Sequence, residues 1–367
     1  MRRSGASPMQ RAVKARLLEP SQFELKDMSK TYDVAVVGAT GLVGEVMIDM
    51  LEERNFPVGR LFALASGRSA GRRIRFRDET IEVRPLASFD FEQVQIGLFS
   101  AGGDVSAEFA PRAAAAGCVV IDNTACFRYE DDVPLVVPEV NPERIADYVN
   151  RGIIANPACS TIQLVVALKP IYDAVGIERI NVATYQAISG AGRHALETMT
   201  EHARQVLAGV EPIVSGREQW VAFNVVPQIG CFLDTGYTKE EMKMVWETRK
   251  ILEDQRIMVN PTAVRVPVYF GHSEAVHLET RTKVTVPEVQ KLLNSAPGVV
   301  LMDGRETGAY PTAATNAAGH DGIYVGRIRE DLSHPRGIDL WVVADNVRKG
   351  AATNSVQIAE ILVNQFM

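Results

Sequence analysis

Cysteine is scarce in this 367-residue chain, which holds four: Cys118, Cys126, Cys159 and Cys231. None forms a CxxC pair or a Cys/His group at metal-ligand spacing, so structural zinc and a disulfide framework are excluded and no metal is expected. That usage fits a reducing, cytoplasmic setting. No apolar run approaches the roughly 18 residues of a membrane-spanning helix, so no membrane association is expected. Basic excess is missing too. The net charge is −6, which leaves no electrostatic footprint for nucleic acid. Beyond the N-terminus there is no internal repeat and no low-complexity segment.

What is present is ordinary globular material, 46% hydrophobic and 23% charged. At roughly 150 residues per domain, two domains are expected. The first thirty residues differ from the rest. They carry Arg2, Arg3, Arg11, Lys14 and Arg16 with no acid before Glu19. They lack the apolar core of a secretory signal, and Glu19, Glu24 and Asp27 dilute a transit-peptide pattern. Residues 1–31 read as a disordered N-terminal extension or an upstream start, with Met28 a candidate first residue.

From residue 32 the pattern alternates strand and helix. Strands are predicted at 33–37, 60–65, 95–100, 118–122 and 152–155, with helices at 42–54 and 106–116. This alternation predicts a parallel, doubly wound sheet. After a long apolar helix over 162–175 the pattern changes. Strand-like runs at 177–189, 261–269, 274–280, 322–329 and 338–344 are interrupted by helices at 193–207, 239–252 and 287–294. A final helix spans 346–363. The expected architecture is α/β: a Rossmann-like dinucleotide-binding domain, then an α+β domain on a mostly antiparallel sheet.

Gly38-Ala39-Thr40-Gly41-Leu42-Val43-Gly44 joins the first strand to the first helix. Such glycines permit a sharp turn and a close approach of backbone to pyrophosphate, and the helix N-terminus offers free N–H donors. The competing reading is an ordinary βα turn. After the second strand an NAD site usually places an acid for the ribose. This chain reads Ser66-Gly67-Arg68-Ser69-Ala70-Gly71-Arg72-Arg73, and hydroxyls with guanidiniums suit the 2′-phosphate of NADP. A solvated basic loop is the alternative.

Cys159 follows a strand and Pro157-Ala158, with Ser160 and Thr161 opening a helix. Ligands bind at that edge of open α/β sheets, and a helix N-terminus favours thiolate over thiol. Cys118, opening an apolar strand, reads instead as a buried structural cysteine. A thiolate nucleophile needs a proton-transfer partner. Of the six histidines only His272 follows a strand and a glycine, in Arg265-Val266-Pro267-Val268-Tyr269-Phe270-Gly271-His272. Arg265 heads that segment as a candidate for an anionic substrate group or as a strand-edge charge. From the residues alone the pairing of Cys159 with His272 stays open.

Several segments together resemble the aspartate-β-semialdehyde dehydrogenase family, in its short bacterial-type branch, from about residue 32 to the C-terminus. They are the 38–44 turn, Ser66 to Gly71, Asp122-Asn123-Thr124, Val137-Pro138-Glu139-Val140-Asn141, Asn156 to Thr161, Tyr185-Gln186-Ala187-Ile188-Ser189-Gly190, the Arg265 to Glu274 stretch, and Ala344-Asp345-Asn346-Val347-Arg348-Lys349-Gly350-Ala351-Ala352. The resemblance implies reductive dephosphorylation of β-aspartyl phosphate to aspartate semialdehyde with NADPH, through a thioester on Cys159. It implies His272 as general acid/base, Gln186 as substrate-positioning, and Arg265 on the substrate carboxylate. It implies Arg128 and Lys243, with Glu240 beside it, as phosphate and substrate ligands. Gly38, Thr40, Gly41, Leu42, Val43, Arg68, Ser69, Ser189, Gly190 and Asn346 are implied as NADP contacts. The domains implied are 32–157 for NADP, 158–345 for catalysis and dimerisation, and a 346–367 helix returning to the first. A homodimer or homotetramer follows.

Other readings of single residues remain. Glu240 and Lys243 could be a plain helix-surface pair, and Glu241 suits a capping box with Thr238. One departure stands out: the family has Asn immediately before the cysteine, and this chain has Ala158. A lost hydrogen bond to a charged group costs about 1.5–3 kcal/mol, roughly ten- to hundred-fold in rate. The alternatives are N-acetyl-γ-glutamyl-phosphate reductase, which shares fold and chemistry, and a silent nucleotide-binding paralogue.

Overall fold

A computed structural model describes residues 30–214 and 219–367. The N-terminal extension expected over residues 1–31 lies, apart from Lys30 and Thr31, outside the described residues. The first sheet is built from β1 (Tyr32–Val37), β2 (Val58–Ala65), β5 (Arg84–Pro85), β6 (Ile96–Phe99), β7 (Val119–Asp122) and β8 (Ile153–Ala155). Its order is β5-β2-β1-β6-β7-β8 and every pairing is parallel. The strand order reverses between β1 and β6, the switch point at which doubly wound sheets open a crevice. A small antiparallel hairpin, β3 (Arg73–Phe76) with β4 (Glu79–Glu82), is an addition that the sequence pattern does not announce.

Strands β1, β6 and β7 are buried on both faces, as helix-covered parallel sheets require. Helix α1 (Leu42–Glu53) covers one face and α2 (Gly103–Ala115) the other. The C-terminal helix α7 (Thr353–Gln365) packs its Val356, Ile358 and Leu362 beside α1 in the same apolar cluster as Val34, Met47 and Leu51. Arg54 and Glu360 pin the two helices with paired 2.7 Å hydrogen bonds. A π-helical stretch, Arg348–Ala352, precedes α7, so the single helix expected from 346 is two pieces.

The second sheet is mixed. Its order is β10 (Met258–Arg265), β9 (Ile177–Gln186), β11 (His272–Thr280), β14 (Gly337–Ala344), β13 (Ile323–Glu330), β12 (Val299–Leu301). The three central pairings are antiparallel, and the two outer ones, β10 with β9 and β12 with β13, are parallel. Helices α3 (Cys159–Val175), α5 (Lys239–Ile251) and α6 (Val286–Ser295) pack on one face, and α4 (Arg193–Leu207) stands apart. Alternation along β9 and β11 sends Ile180, Val182, Val276 and Leu278 inward to α3, and leaves Tyr185 and His277 on the opposite face. β9 stops at Gln186 and β10 at Arg265, both short of the expected ends, because the chain bends there into the site.

The capping box expected at Thr238 is formed: Glu241 N–H donates to the Thr238 hydroxyl and the Glu241 carboxylate accepts Thr238 N–H. Glu241 also accepts Ala263 N–H from β10, which fixes α5 against the sheet.

Candidate active site

Four strand and helix ends converge where the two sheets meet. β9 and β10 run parallel and end side by side, with Arg265 in register with Gln186. β11 runs antiparallel to β9, so its first residue, His272, lies at the same edge. Helix α3 starts there too, because it leaves the C-terminal edge of β8, and its first residue is Cys159.

The Cys159 sulfur lies 3.2 Å from His272 Nε2. On the far side of the ring, Ala187 N–H donates to Nδ1 at 3.0 Å. A nitrogen that accepts carries no hydrogen, so the neutral ring holds its hydrogen on Nε2, facing the sulfur. Gln186 is buried, and its orientation is set by two bonds: its Oε1 accepts the Thr184 hydroxyl at 3.1 Å and its Nε2 donates to Glu240 at 3.2 Å. Its amide nitrogen stands 3.4 Å from His272 Nε2. Glu240 in turn accepts Lys243 Nζ at 2.7 Å, so this pair is part of the site wall rather than a plain surface pair. Arg265 donates to the Ala187 carbonyl at 2.7 Å.

The thiol does not follow the expected helix-terminus trend. Burial pushes Cys159 up to about 12 and the Glu240 carboxylate adds to the rise, against smaller opposing pulls from Lys243, Ser160 N–H and Arg265. Burial likewise lowers His272 to about 3, reinforced by Arg265. A proton on Nδ1 would also point at Ala187 N–H. Both shifts favour a neutral thiol and a neutral imidazole at rest. The thiolate fraction then climbs tenfold per pH unit below the thiol pKa, with no plateau near neutrality. Iodoacetamide alkylation of Cys159 in the free protein is expected to rise log-linearly from about pH 6 to about pH 10. A plateau above about pH 7 would instead show a preformed thiolate–imidazolium pair.

Gly350, in the π-helical stretch, passes directly behind the nucleophile. A Cβ there would lie 2.8 Å from the Cys159 Cβ. Asn156, Asn123, Asn354 and Ser355 form a side-chain network beside it: Asn156 donates to Asn123 at 2.9 Å, Asn354 to Asn156 at 2.6 Å, and Asn123 to Ser355 at 2.8 Å. These residues hold the strand ends in place, and the sequence reading gave none of them a role. Arg128 is buried, donating to Glu247 at 3.0 Å and to the Asn123 carbonyl at 2.7 Å. Glu247 too was missed.

The residues expected to hold a dinucleotide form a cradle at the switch point. Gly38 takes φ +87°, and a Cβ there would stand 2.5 Å from the Ser100 carbonyl oxygen. A Cβ at Gly44 would lie 2.1 Å from the Gly38 oxygen, so only glycine lets the helix approach the turn this closely. Thr40, Gly41, Leu42 and Val43 line the entry to α1, with Gly41 at its N-cap. Arg68 and Ser69 lie in the short Gly67–Ser69 turn after β2, and the Thr40 and Ser69 hydroxyls stand 3.5 Å apart. Ser189 and Asn346 are hydrogen-bonded to each other, and the Asn346 oxygen also accepts Gly271 N–H at 3.0 Å. Gly190 lies against His272 and Arg265. The side-chain chemistry and the spacing at Gly38 and Gly44 fit a nicotinamide dinucleotide. Gly44→Ala is expected to push α1 off the turn, costing about 1–3 kcal/mol of stability and weakening cofactor binding at least tenfold. Thermal melting and fluorescence titration with the reduced nicotinamide cofactor check both, and parental values in both would contradict the packing argument.

A parallel dinucleotide sheet joined to a mixed-sheet domain, with a cysteine–histidine pair at their junction, is the architecture of a nicotinamide-dependent dehydrogenase. Comparison with known proteins agrees. Residues 33–148 match the family description "Semialdehyde dehydrogenase, NAD binding domain", and residues 168–349 match "Semialdehyde dehydrogenase, dimerisation domain". The aspartate-semialdehyde dehydrogenase of Legionella pneumophila is 60% identical over 340 residues, 93% of this chain and 98% of that protein. The crystal structure of aspartate semialdehyde dehydrogenase II from Vibrio cholerae, complexed with ASA, has 57% identity and a TM-score of 0.90, covering 92% of this chain and 100% of that one. A Candida albicans aspartate semialdehyde dehydrogenase structure with NADP has 28% identity and a TM-score of 0.70, covering 91% and 99%. The chain belongs to the aspartate-semialdehyde dehydrogenase family.

Proposed function

We propose that this protein reduces β-aspartyl phosphate to aspartate semialdehyde, releasing phosphate, in the biosynthesis of the aspartate-derived amino acids lysine, threonine and methionine and of diaminopimelate. The observation that carries the reading is the Cys159–His272 contact of 3.2 Å at the junction of the two sheets. Cys159 displaces phosphate from the acyl phosphate, its thiol proton leaving with the phosphate, and holds the aspartyl group as a thioester. When bound, NADPH supplies the hydride that reduces this group. His272 handles the proton. Its Nε2–H hydrogen-bonds the sulfur at rest. As the thiohemiacetal collapses, Nε2 passes that proton to the departing sulfur and takes the hydroxyl proton in its place, so the ring begins and ends neutral with Nδ1 still accepting Ala187 N–H. Gln186, locked by Thr184 and Glu240, orients the acyl group. Arg265 takes the substrate carboxylate, and Arg128 and Lys243, with Glu240, form the phosphate side.

NADP is the cofactor on this reading. Gly38, Thr40, Gly41, Leu42 and Val43 receive the pyrophosphate, Arg68 and Ser69 the 2′-phosphate, and Ser189, Gly190 and Asn346 the nicotinamide end. Residues 32–157 form the NADP-binding domain, 158–345 the catalytic and dimerisation domain, and 346–367 the closing helix. The homodimer is the working assembly. The reading places the enzyme in the cytoplasm.

Assay with aspartate semialdehyde, phosphate and NADP, with NAD as the control, tests this. Phosphate-dependent NADPH formation is expected, and none with N-acetylglutamate semialdehyde. Arg68→Asp is expected to cut the NADP/NAD preference by about tenfold or more, as loss of a charge-assisted phosphate contact does. An unchanged ratio would remove Arg68 from the 2′-phosphate site.

A further inference from the structure

Glu247 is one of the buried charges that the functional reading leaves unused. Glu247 lies on α5, fully out of solvent, and its two carboxylate oxygens face different partners. Oε1 accepts Arg128 NH1 at 3.0 Å and the Tyr129 hydroxyl at 3.4 Å. Oε2 accepts the backbone N–H of Ala158 at 2.7 Å. Arg128 and Ala158 are joined by no other bridging side chain among the described residues. One carboxylate thus spans the guanidinium assigned to phosphate and the residue directly before the nucleophile.

The rest of α5 supports the same geometry. Glu240, Lys243, Glu247 and Lys250 follow at spacings of three, four and three, which places them on one helical face. Glu240 reaches Gln186. Lys250 Nζ donates to the carbonyls of Arg128, Glu130 and Val133 at 3.0, 2.6 and 2.9 Å, tying down the loop that carries Arg128. Buried ion pairs repay their desolvation only when geometry is good and further bonds satisfy both partners. Here Glu247 has three such partners, and Arg128 keeps its Nε buried with no partner. Ala158 has no polar side chain, so the polar contact at that position comes from Glu247 through the backbone.

We infer that Glu247 is a positioning residue for the phosphate step: it sets Arg128 at a fixed distance from Cys159 by gripping both the guanidinium and Ala158 N–H. The inference rests on the phosphate role of Arg128 given above. A carboxamide in its place can accept from one partner only, and it presents N–H to the other. Arg128 is then free to drift from the phosphate.

The test is steady-state kinetics of the full chain in the direction of semialdehyde oxidation, with phosphate varied. Glu247→Gln is expected to raise the KM for phosphate about tenfold or more, as weakening of a charged hydrogen bond does, with the KM for aspartate semialdehyde within about twofold. Arg128→Ala raises the same constant, and the Arg128→Ala/Glu247→Gln double variant is no worse than Arg128→Ala alone, because the two act on one contact. Circular dichroism establishes that each variant is folded. Should Glu247→Gln not fold, Glu247→Asp carries the test: it keeps the charge on a shorter stem, and a smaller rise in the phosphate KM is expected. A folded Glu247 variant with the parental phosphate KM, while Arg128→Ala raises it, would overturn the positioning role and leave only a structural ion pair. A parental phosphate KM in Arg128→Ala itself would instead remove the arginine from the phosphate site, and the inference about Glu247 with it.

Discussion

Replacing Cys159 with alanine is expected to abolish phosphate-dependent NADPH formation from aspartate semialdehyde, by about four orders of magnitude or more, the scale on which a nucleophile acting as part of one unit is lost. The change is clean in physical terms. Burial holds the resting thiol neutral, so no charge is removed from the site. The Cβ that packs against Gly350 is retained, and α3 keeps its start. NADP affinity and melting temperature should therefore stay near parental values, measured by fluorescence titration and calorimetry. Turnover within about a hundredfold of the parent in this variant would sink the thioester route.

His272→Ala is expected to have the second-largest effect, a fall in kcat of roughly 10²- to 10⁴-fold, the range supplied by a placed acid/base group. The ring hydrogen-bonds the sulfur and lies against Gly190, so its loss removes both the Nε2–H and some packing. The proposed function assigns phosphate binding to other residues, so its KM should move far less than kcat. A loss seen in the phosphate KM with kcat preserved would reassign His272 from proton transfer to phosphate binding. His272→Gln separates packing from chemistry, since it fills the space and keeps an N–H donor. It is expected to melt close to the parent and remain strongly impaired in kcat.

Much of the site was legible because its parts sit at element ends with local signals. The strand–glycine turn–helix of residues 38–44 has a fixed physical meaning, and the structure puts it at the sheet's switch point. Cys159 at a strand-to-helix junction and His272 after a strand and a glycine could be picked out one by one. The antiparallel pairing of β11 with β9 carries His272 to the edge where α3 starts with Cys159, and that pairing is a long-range fact. The balance of effects on the thiol was not legible for a related reason. A helix start is visible in sequence, whereas the packing that pushes the thiol up to about 12 comes from residues far along the chain. Glu247 was missed because its partners lie 119 and 89 positions away. A signal did exist in the 240, 243, 247, 250 spacing of charges on one face of an amphipathic helix, but a solvated charge stripe has the same pattern. The β3–β4 hairpin lacks any turn glycine, and its Arg77 takes φ +54° at the bend, so no turn signature announced it.

The most direct measurement is rapid-quench mass spectrometry of the protein mixed with aspartate semialdehyde and NADP in the absence of phosphate. One equivalent of NADPH per active site should form in a burst, and the peptide containing Cys159 should carry one aspartyl group that disappears when phosphate is added. A burst with no aspartyl group on Cys159, or with that group on another residue, would contradict the account.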